Sequence, residues 1–139
     1  MDKLTYEQFL NSDDTLRVYA DQELVFSSKK DGVLPLLEYI DRLADEHHGV
    51  IMLDKVVGNA AALLAVRAGC GEIHSPLGSQ LAIITLNKYA IRHCFSNIVP
   101  YIRQENGRDM CPLEMLSINR EPEEFYTMVK DMGRDPAKE

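Results

Sequence analysis

The sequence predicts an α/β protein, a three-layer sandwich in which a mixed sheet of about five strands lies between helices. Three observations predict it. Helical apolar periodicity and short extended runs alternate from residue 31 onward. Val50-Ile51-Met52-Leu53 is an unbroken apolar run, the pattern of a strand buried on both faces. The resulting order (hairpin, helix, strand, helix, strand, helix, strand) needs right-handed crossovers between parallel strands.

Near the N-terminus, Tyr6 to Leu10 is a short helical stretch that ends in the turn-like Asn11-Ser12-Asp13-Asp14. Leu16 to Ala20 alternates at the strand period, and Leu24 to Ser27 follows after Asp21-Gln22-Glu23, which together predict an antiparallel hairpin. Asp31-Gly32 starts a helix with Val33, Leu36, Leu37, Ile40, Leu43 and Ala44 on one face and Glu38, Asp41, Arg42 and Asp45 on the other. Pro35 fits there because it lies in the first turn. Gly49 ends this helix before the strand Val50 to Leu53.

The next helix, Asn59 to Ala68, carries small or apolar side chains all round, with Arg67 its single charge. It must pack on the sheet on one side and on a neighbouring helix or a second subunit on the other. Gly69-Cys70-Gly71 stops it, and Glu72 to Ser75 is a short strand. Ser79 caps a further helix in which Leu81, Ile84, Thr85 and Tyr89 share a face. Ile91 to Phe95 is the last strand, with Ile91, His93 and Phe95 alternating against Arg92 and Cys94. Beyond a polar turn at Asn106-Gly107, short helices begin at Pro112 and at Glu121, the latter with Phe125, Met128, Val129 and Met132 as its apolar face. The polar tail from Gly133 is expected to be disordered.

Composition narrows the function classes. A chain of 139 residues with 45% hydrophobic and 27% charged residues fits one soluble domain. The net charge of −7, with Lys29-Lys30 as the only basic pair, argues against nucleic acid as a partner. The longest apolar run, Ala60 to Val66, is too short to span a bilayer. With no apolar leader in the first residues, the expected compartment is the cytoplasm. Three cysteines without repeated spacing read as reduced thiols, not as a disulfide framework. Nothing in the sequence asks for a cofactor.

Two stretches carry the candidate chemistry, because each places charged or reactive groups where an extended segment becomes a helix. In the first, Asp54 and Lys55 stand at the carboxyl end of the buried strand, just before Gly58 and Asn59 at the helix start. Lys55 could hold an anionic or carbonyl ligand that Asp54 positions, or the pair could be a surface ion pair or helix-entry cap. Gly58 and Asn59 offer backbone N–H groups to an anion, or simply form a tight turn and an N-cap.

In the second stretch, Gly107 to Glu114, Cys111 precedes Pro112 and is the expected N-cap, with Arg108 three residues earlier and Asp109 between. A thiol held there is placed for nucleophilic or redox work, or is a small side chain chosen for packing. Glu114 lies in the first turn, where the helix dipole favours a carboxylate. His47-His48, on neighbouring helix positions about 100° apart, and the strand residues His74 and His93 read as structural, so no metal ligand set is expected.

The run from Arg17 to Glu114 resembles an uncharacterised bacterial family whose fold is cytidine-deaminase-like. The resemblance rests on Phe26-Ser27-Ser28, the Gly32 to Ile40 helix start, Asp54 to Ala62, Val99-Pro100-Tyr101-Ile102 and Met110 to Glu114, and spans about seven tenths of the chain. It implies a deaminase-like core over about 13–118, followed by the helix at about 121–132. It does not imply an activity. A zinc deaminase needs an H-x-E helix start and a P-C-x-x-C pair. Here the helix start is Gly58-Asn59-Ala60-Ala61-Ala62, and Cys111 precedes its proline with no second cysteine after it.

The reading that follows is a deaminase-fold protein without zinc chemistry. It would bind a small anionic or nucleotide-like ligand at Asp54, Lys55, Gly58, Asn59, Arg108, Asp109 and Glu114. The alternatives are a thiol-dependent enzyme using Cys111 with Lys55 as proton carrier, and an assembly protein whose alanine-rich helix packs in a homodimer.

Overall fold

The hairpin forms the edge of the sheet. β1 (Leu16–Ala20) and β2 (Glu23–Ser28) pair antiparallel through a two-residue turn, Asp21-Gln22, both of whose residues have positive φ (50° and 71°). That primed geometry matches the right-handed twist of the two strands. The computed structural model describes residues 2–104 and 106–133; the polar tail expected from Gly133 lies outside the described residues beyond Gly133 itself.

β3 (Val50–Asp54) joins β1 antiparallel, whereas β4 (Cys70–Ser79) and β5 (Arg92–Val99) add parallel to it. The result is a mixed five-stranded sheet in the order β2-β1-β3-β4-β5. Met52 and Leu53 are both fully buried. Adjacent residues of a strand face opposite sides, so β3 is covered on both faces as its apolar run demands.

Helices make the two outer layers. On one face, Val18, Met52 and Ile73 meet α2 (Leu34–Leu43), α3 (Asn59–Arg67) and α4 (Gln80–Lys88), while α5 (Pro112–Ser117) and α6 (Pro122–Gly133) close over the far side of α3. On the other face α1 (Lys3–Leu10) covers part of the sheet: Phe9 is fully buried and Tyr6 lies 5.9 Å from the His74 ring. This is the three-layer α/β arrangement. α3 is enclosed within one chain, with Asn59 through Ala65 all buried, and its alanine-rich surface is covered by α2, α4, α5 and α6.

Two elements differ from the periodicity. β4 and β5 run further than expected, to Ser79 and Val99, because each supports the other through the pairs Leu77↔Asn97, Gly78↔Ile98 and Ser79↔Val99. Pro76 falls after the ladder to β3 has ended at His74, and a proline is tolerated outside a fully paired stretch. Gly78 is there because Phe95 lies over it: a Cβ would sit 2.1 Å from the Phe95 ring.

α4 is also turned from its expected face. Ala82 and Leu86 are buried while Ile84 is 66% exposed, because α4 approaches the small residues of α3 through its own alanine. α2 begins at Leu34, later than the expected start at Asp31-Gly32, because Gly32 has a left-handed φ of 65°, but the apolar faces of α2 and α6 hold. Leu36, Ile40 and Ala44 of the α2 region and Phe125 and Val129 of α6 are buried, and Ser79 Oγ caps α4 by accepting from Ala82 N–H at 3.0 Å.

Candidate functional site

β3 ends on a carboxyl that its own fold desolvates. Asp54 is 8% exposed, and its Oδ1 accepts a long hydrogen bond of 3.3 Å from Val56 N–H. Burial pushes its pKa up to about 7, against the pull of the Val56 and Lys55 backbone N–H groups and the Lys55 charge. Lys55 itself turns away from a ligand role. Its ammonium donates to the Ser12 and Asp14 carbonyls, each at 2.9 Å, and lies 4.7 Å from the centre of the Phe9 ring. It thus ties the turn after α1 to the end of β3. Lys55→Met should lower the unfolding free energy by about 1–2 kcal/mol through two stranded carbonyls. Urea unfolding followed by circular dichroism measures it, and an unchanged midpoint would show those bonds to be replaceable by water.

The start of α3 is an anion site already filled by the protein. Glu114, 1% exposed, accepts from Asn59 N–H at 2.5 Å through Oε1 and from Ile102 N–H at 2.8 Å through Oε2. A carboxylate is what the positive end of a helix favours. The same approach explains Gly58, where a Cβ would lie 2.7 Å from Ile102 Cγ1 and 2.8 Å from Glu114 Oε1. The Asn59 side chain is spent as well: Nδ2 donates to the Ser117 carbonyl and hydroxyl at 3.1 and 3.0 Å, and Oδ1 accepts from Thr85 Oγ1. The two conspicuous stretches are therefore joined through Glu114 and Asn59, across 55 residues of sequence.

Beside this junction lies a cavity of about 300 Å³ at the carboxyl end of β3. Asp54, Val56, Ala60 and Ala61 form one wall, Ile102, Cys111 and Leu113 another, and Thr15 and Asp31 to Val33 complete it. Cys111 is the N-cap of α5 and is half-buried; Cys70 is buried, its thiol pushed up to about 12 by that burial, and Cys94 is exposed. Arg108 and Asp109 sit apart, exposed on the turn held by Asn106, and do not line the cavity.

Of the residues expected to bind an anion, the structure gathers Asp54, Lys55, Gly58 and Glu114 around one space, and the candidate thiol Cys111 lines it with them. Two of the groups that were to attract the anion have internal partners. Lys55 is held by carbonyls, the Asn59 N–H by Glu114, and Arg108 is elsewhere. Thr15, Asp31 and Ile102 were missed. Asp31-Gly32 marked a helix start, but no local signal shows that this start, 23 residues before Asp54, faces the end of β3.

His74 is bonded to a neighbour on its own strand. His74 Nε2 meets Glu72 Oε2 at 2.7 Å, and that hydrogen bond lowers the Glu72 pKa. Among the described residues no three His, Cys, Asp or Glu side chains are grouped to hold a metal ion. Nor is any helix among them long and apolar enough to cross a membrane.

Comparison with known proteins places this arrangement in a family. No curated protein matches the chain. The crystal structure at 2.70 Å of a DUF1893 family protein (TM1506) from Thermotoga maritima is similar, with a TM-score of 0.84 and 28% sequence identity. The match covers 95% of this chain and 92% of that one. The family model described as TM1506, domain of unknown function (DUF1893), matches residues 6–132. A match of that extent, with the same fold in a related structure, means that the chain belongs to the DUF1893 family.

Proposed function

We propose that this protein is a small-molecule binding domain, cytidine-deaminase-like in architecture but without zinc chemistry, whose site is the cavity at the end of β3. The single observation that carries the reading is a desolvated carboxyl, Asp54, lining a cavity with largely aliphatic walls between the two conspicuous stretches. Open α/β sheets bind ligands outside the carboxyl ends of their strands, and pockets of this size with few polar groups are the usual form of such sites. The strand order and the βαβ crossovers support the deaminase-like comparison. The missing H-x-E and P-C-x-x-C patterns separate it from hydrolytic deamination.

A fragment screen by amide-resolved NMR tests the reading. Hits should move the amides of Val56, Ala60, Ala61 and Leu113 together. A screen whose hits all map elsewhere, or that yields none, would overturn it.

A second reading, a thiol-dependent enzyme, is favoured by one fact: Cys111 lines the same cavity as Asp54. Lys55 is not its proton carrier, since its ammonium is committed to Ser12 and Asp14; Asp54 would take that part. On this reading Cys111 alkylates faster than the more exposed Cys94 at neutral pH, and a slower rate rules it out.

A further inference from the structure

The cavity is lopsided in charge. Three carboxyl residues line it, Asp31, Asp54 and Glu114, against one ammonium, Lys55. Two of these four are committed inside the protein: both Glu114 oxygens accept backbone N–H groups, and the Lys55 ammonium sits on two carbonyls and an aromatic face. Thr15 also spends its hydroxyl proton internally, on the Ser28 and Lys30 carbonyls at the hairpin edge. The charged side chains that remain for a ligand are both carboxyls, the buried Asp54 and the exposed Asp31. The walls between them, Val33, Val56, Ile102 and Leu113, are apolar.

Resting on the binding-domain reading above, we propose that the ligand is a small organic cation, an amine or amidine on an apolar body, with Asp54 as its counter-ion. A cation gains from Asp54 and Asp31 together, and its apolar part gains from leaving water for the aliphatic walls. An anion of the same shape meets the charge of both carboxyls, against which the first-turn N–H groups of α3 offer only partial charge. A buried ion pair is favourable when its geometry and hydrogen bonding are complete, and a planar amidinium can present two N–H groups to one carboxylate. Burial holds Asp54 up to about 7, so around neutrality the free protein keeps it partly protonated and an arriving cation displaces that proton. The other titratable groups facing the cavity are Asp31, Lys55, Cys111 and Glu114.

The test compares benzamidinium, benzamide and benzoate, which share a ring and differ in charge, by NMR titration of the full chain. Benzamidinium should saturate the shifts of Val56, Ala60, Ala61 and Leu113, with benzoate leaving them unmoved. Its affinity should rise about tenfold from pH 6 to pH 8, as the deprotonated fraction of a group titrating near 7 does. Asp54→Asn should weaken it at least tenfold and flatten that pH profile.

Benzoate binding as tightly as benzamidinium would overturn the inference, as would a benzamidinium affinity indifferent to Asp54→Asn. Benzamide binding in the cavity while benzamidinium does not would defeat the cation and leave the binding-domain reading standing. Silence from all three would defeat both. The comparison of the three probes uses the unmodified protein, so it decides even if the Asp54 variant does not fold.

Discussion

Glu114→Ala is expected to lower the unfolding free energy by about 3–5 kcal/mol, the largest loss from any single polar side chain in this protein. The side chain is fully enclosed and accepts from two backbone N–H groups, those of Asn59 and Ile102. Each hydrogen bond to a charged group contributes about 1.5–3 kcal/mol, and a buried donor left unmade costs its full desolvation. The alanine variant also removes the negative charge that complements the start of α3.

Glu114→Gln separates these effects. It keeps one acceptor for one N–H but turns an NH₂ group on the other, so about half of the loss should remain. Urea unfolding gives the free energies, and amide exchange at Asn59 and Ile102 should accelerate in both variants. A loss below about 1 kcal/mol for the alanine variant would mean that water enters the cavity and satisfies both donors.

Asp54→Asn is expected to do the opposite. The folded carboxyl titrates near 7 and the unfolded one near its ordinary 3.8, so between those values the folded state binds the proton and the unfolded chain does not. Stability therefore falls as pH rises from about 4 to about 7 and is level above that. A shift of three units corresponds to about 4 kcal/mol. Asparagine keeps an acceptor for Val56 N–H and carries no charge to desolvate. At pH 8 the variant should exceed the parent by about 4 kcal/mol, roughly 10 °C in melting temperature, and at pH 4 the two should converge.

Two other carboxyls act outside this window. Burial raises the Asp14 pKa, but its bonds to Lys29 and Arg17 hold it below the ordinary value, and the His74 hydrogen bond does the same for Glu72. Their contributions are lost only as pH falls through that lower range, so they do not mask Asp54 between pH 5 and 8. Parent and variant curves that run parallel from pH 5 to pH 8 would show Asp54 to be solvated. A group that costs stability at neutral pH and lines a cavity is the usual mark of retention for binding, which joins this prediction to the cation inference: the same substitution should stabilise the protein and disarm its site.

The sequence by itself determined the elements whose causes are local. Alternation over Leu16 to Ala20, the apolar run from Val50, the face made by Leu36, Ile40 and Ala44, and Ser79 and Pro112 at helix starts all act within a few residues, and all appear where the pattern places them. The order of those elements was enough for a mixed sheet between helices.

Tertiary structure decided the rest, because it depends on groups far apart in the chain. β4 passes through Pro76 and Gly78 since β5 is there to pair with it and Phe95 needs the space above Gly78. α4 buries Ala82 and Leu86, and leaves Ile84 out, because α3 offers a surface of small residues. The site shows the same division. Gly58, Asn59 and Glu114 were legible as helix-start residues, each read as available to a ligand. That Glu114 would occupy the N–H of Asn59, and that Ser12 and Asp14 would claim Lys55 from 43 and 41 residues away, no spacing could tell. Local propensity fixes which groups stand at a helix start. Chain closure chooses what satisfies them, and with it what is left over for a ligand.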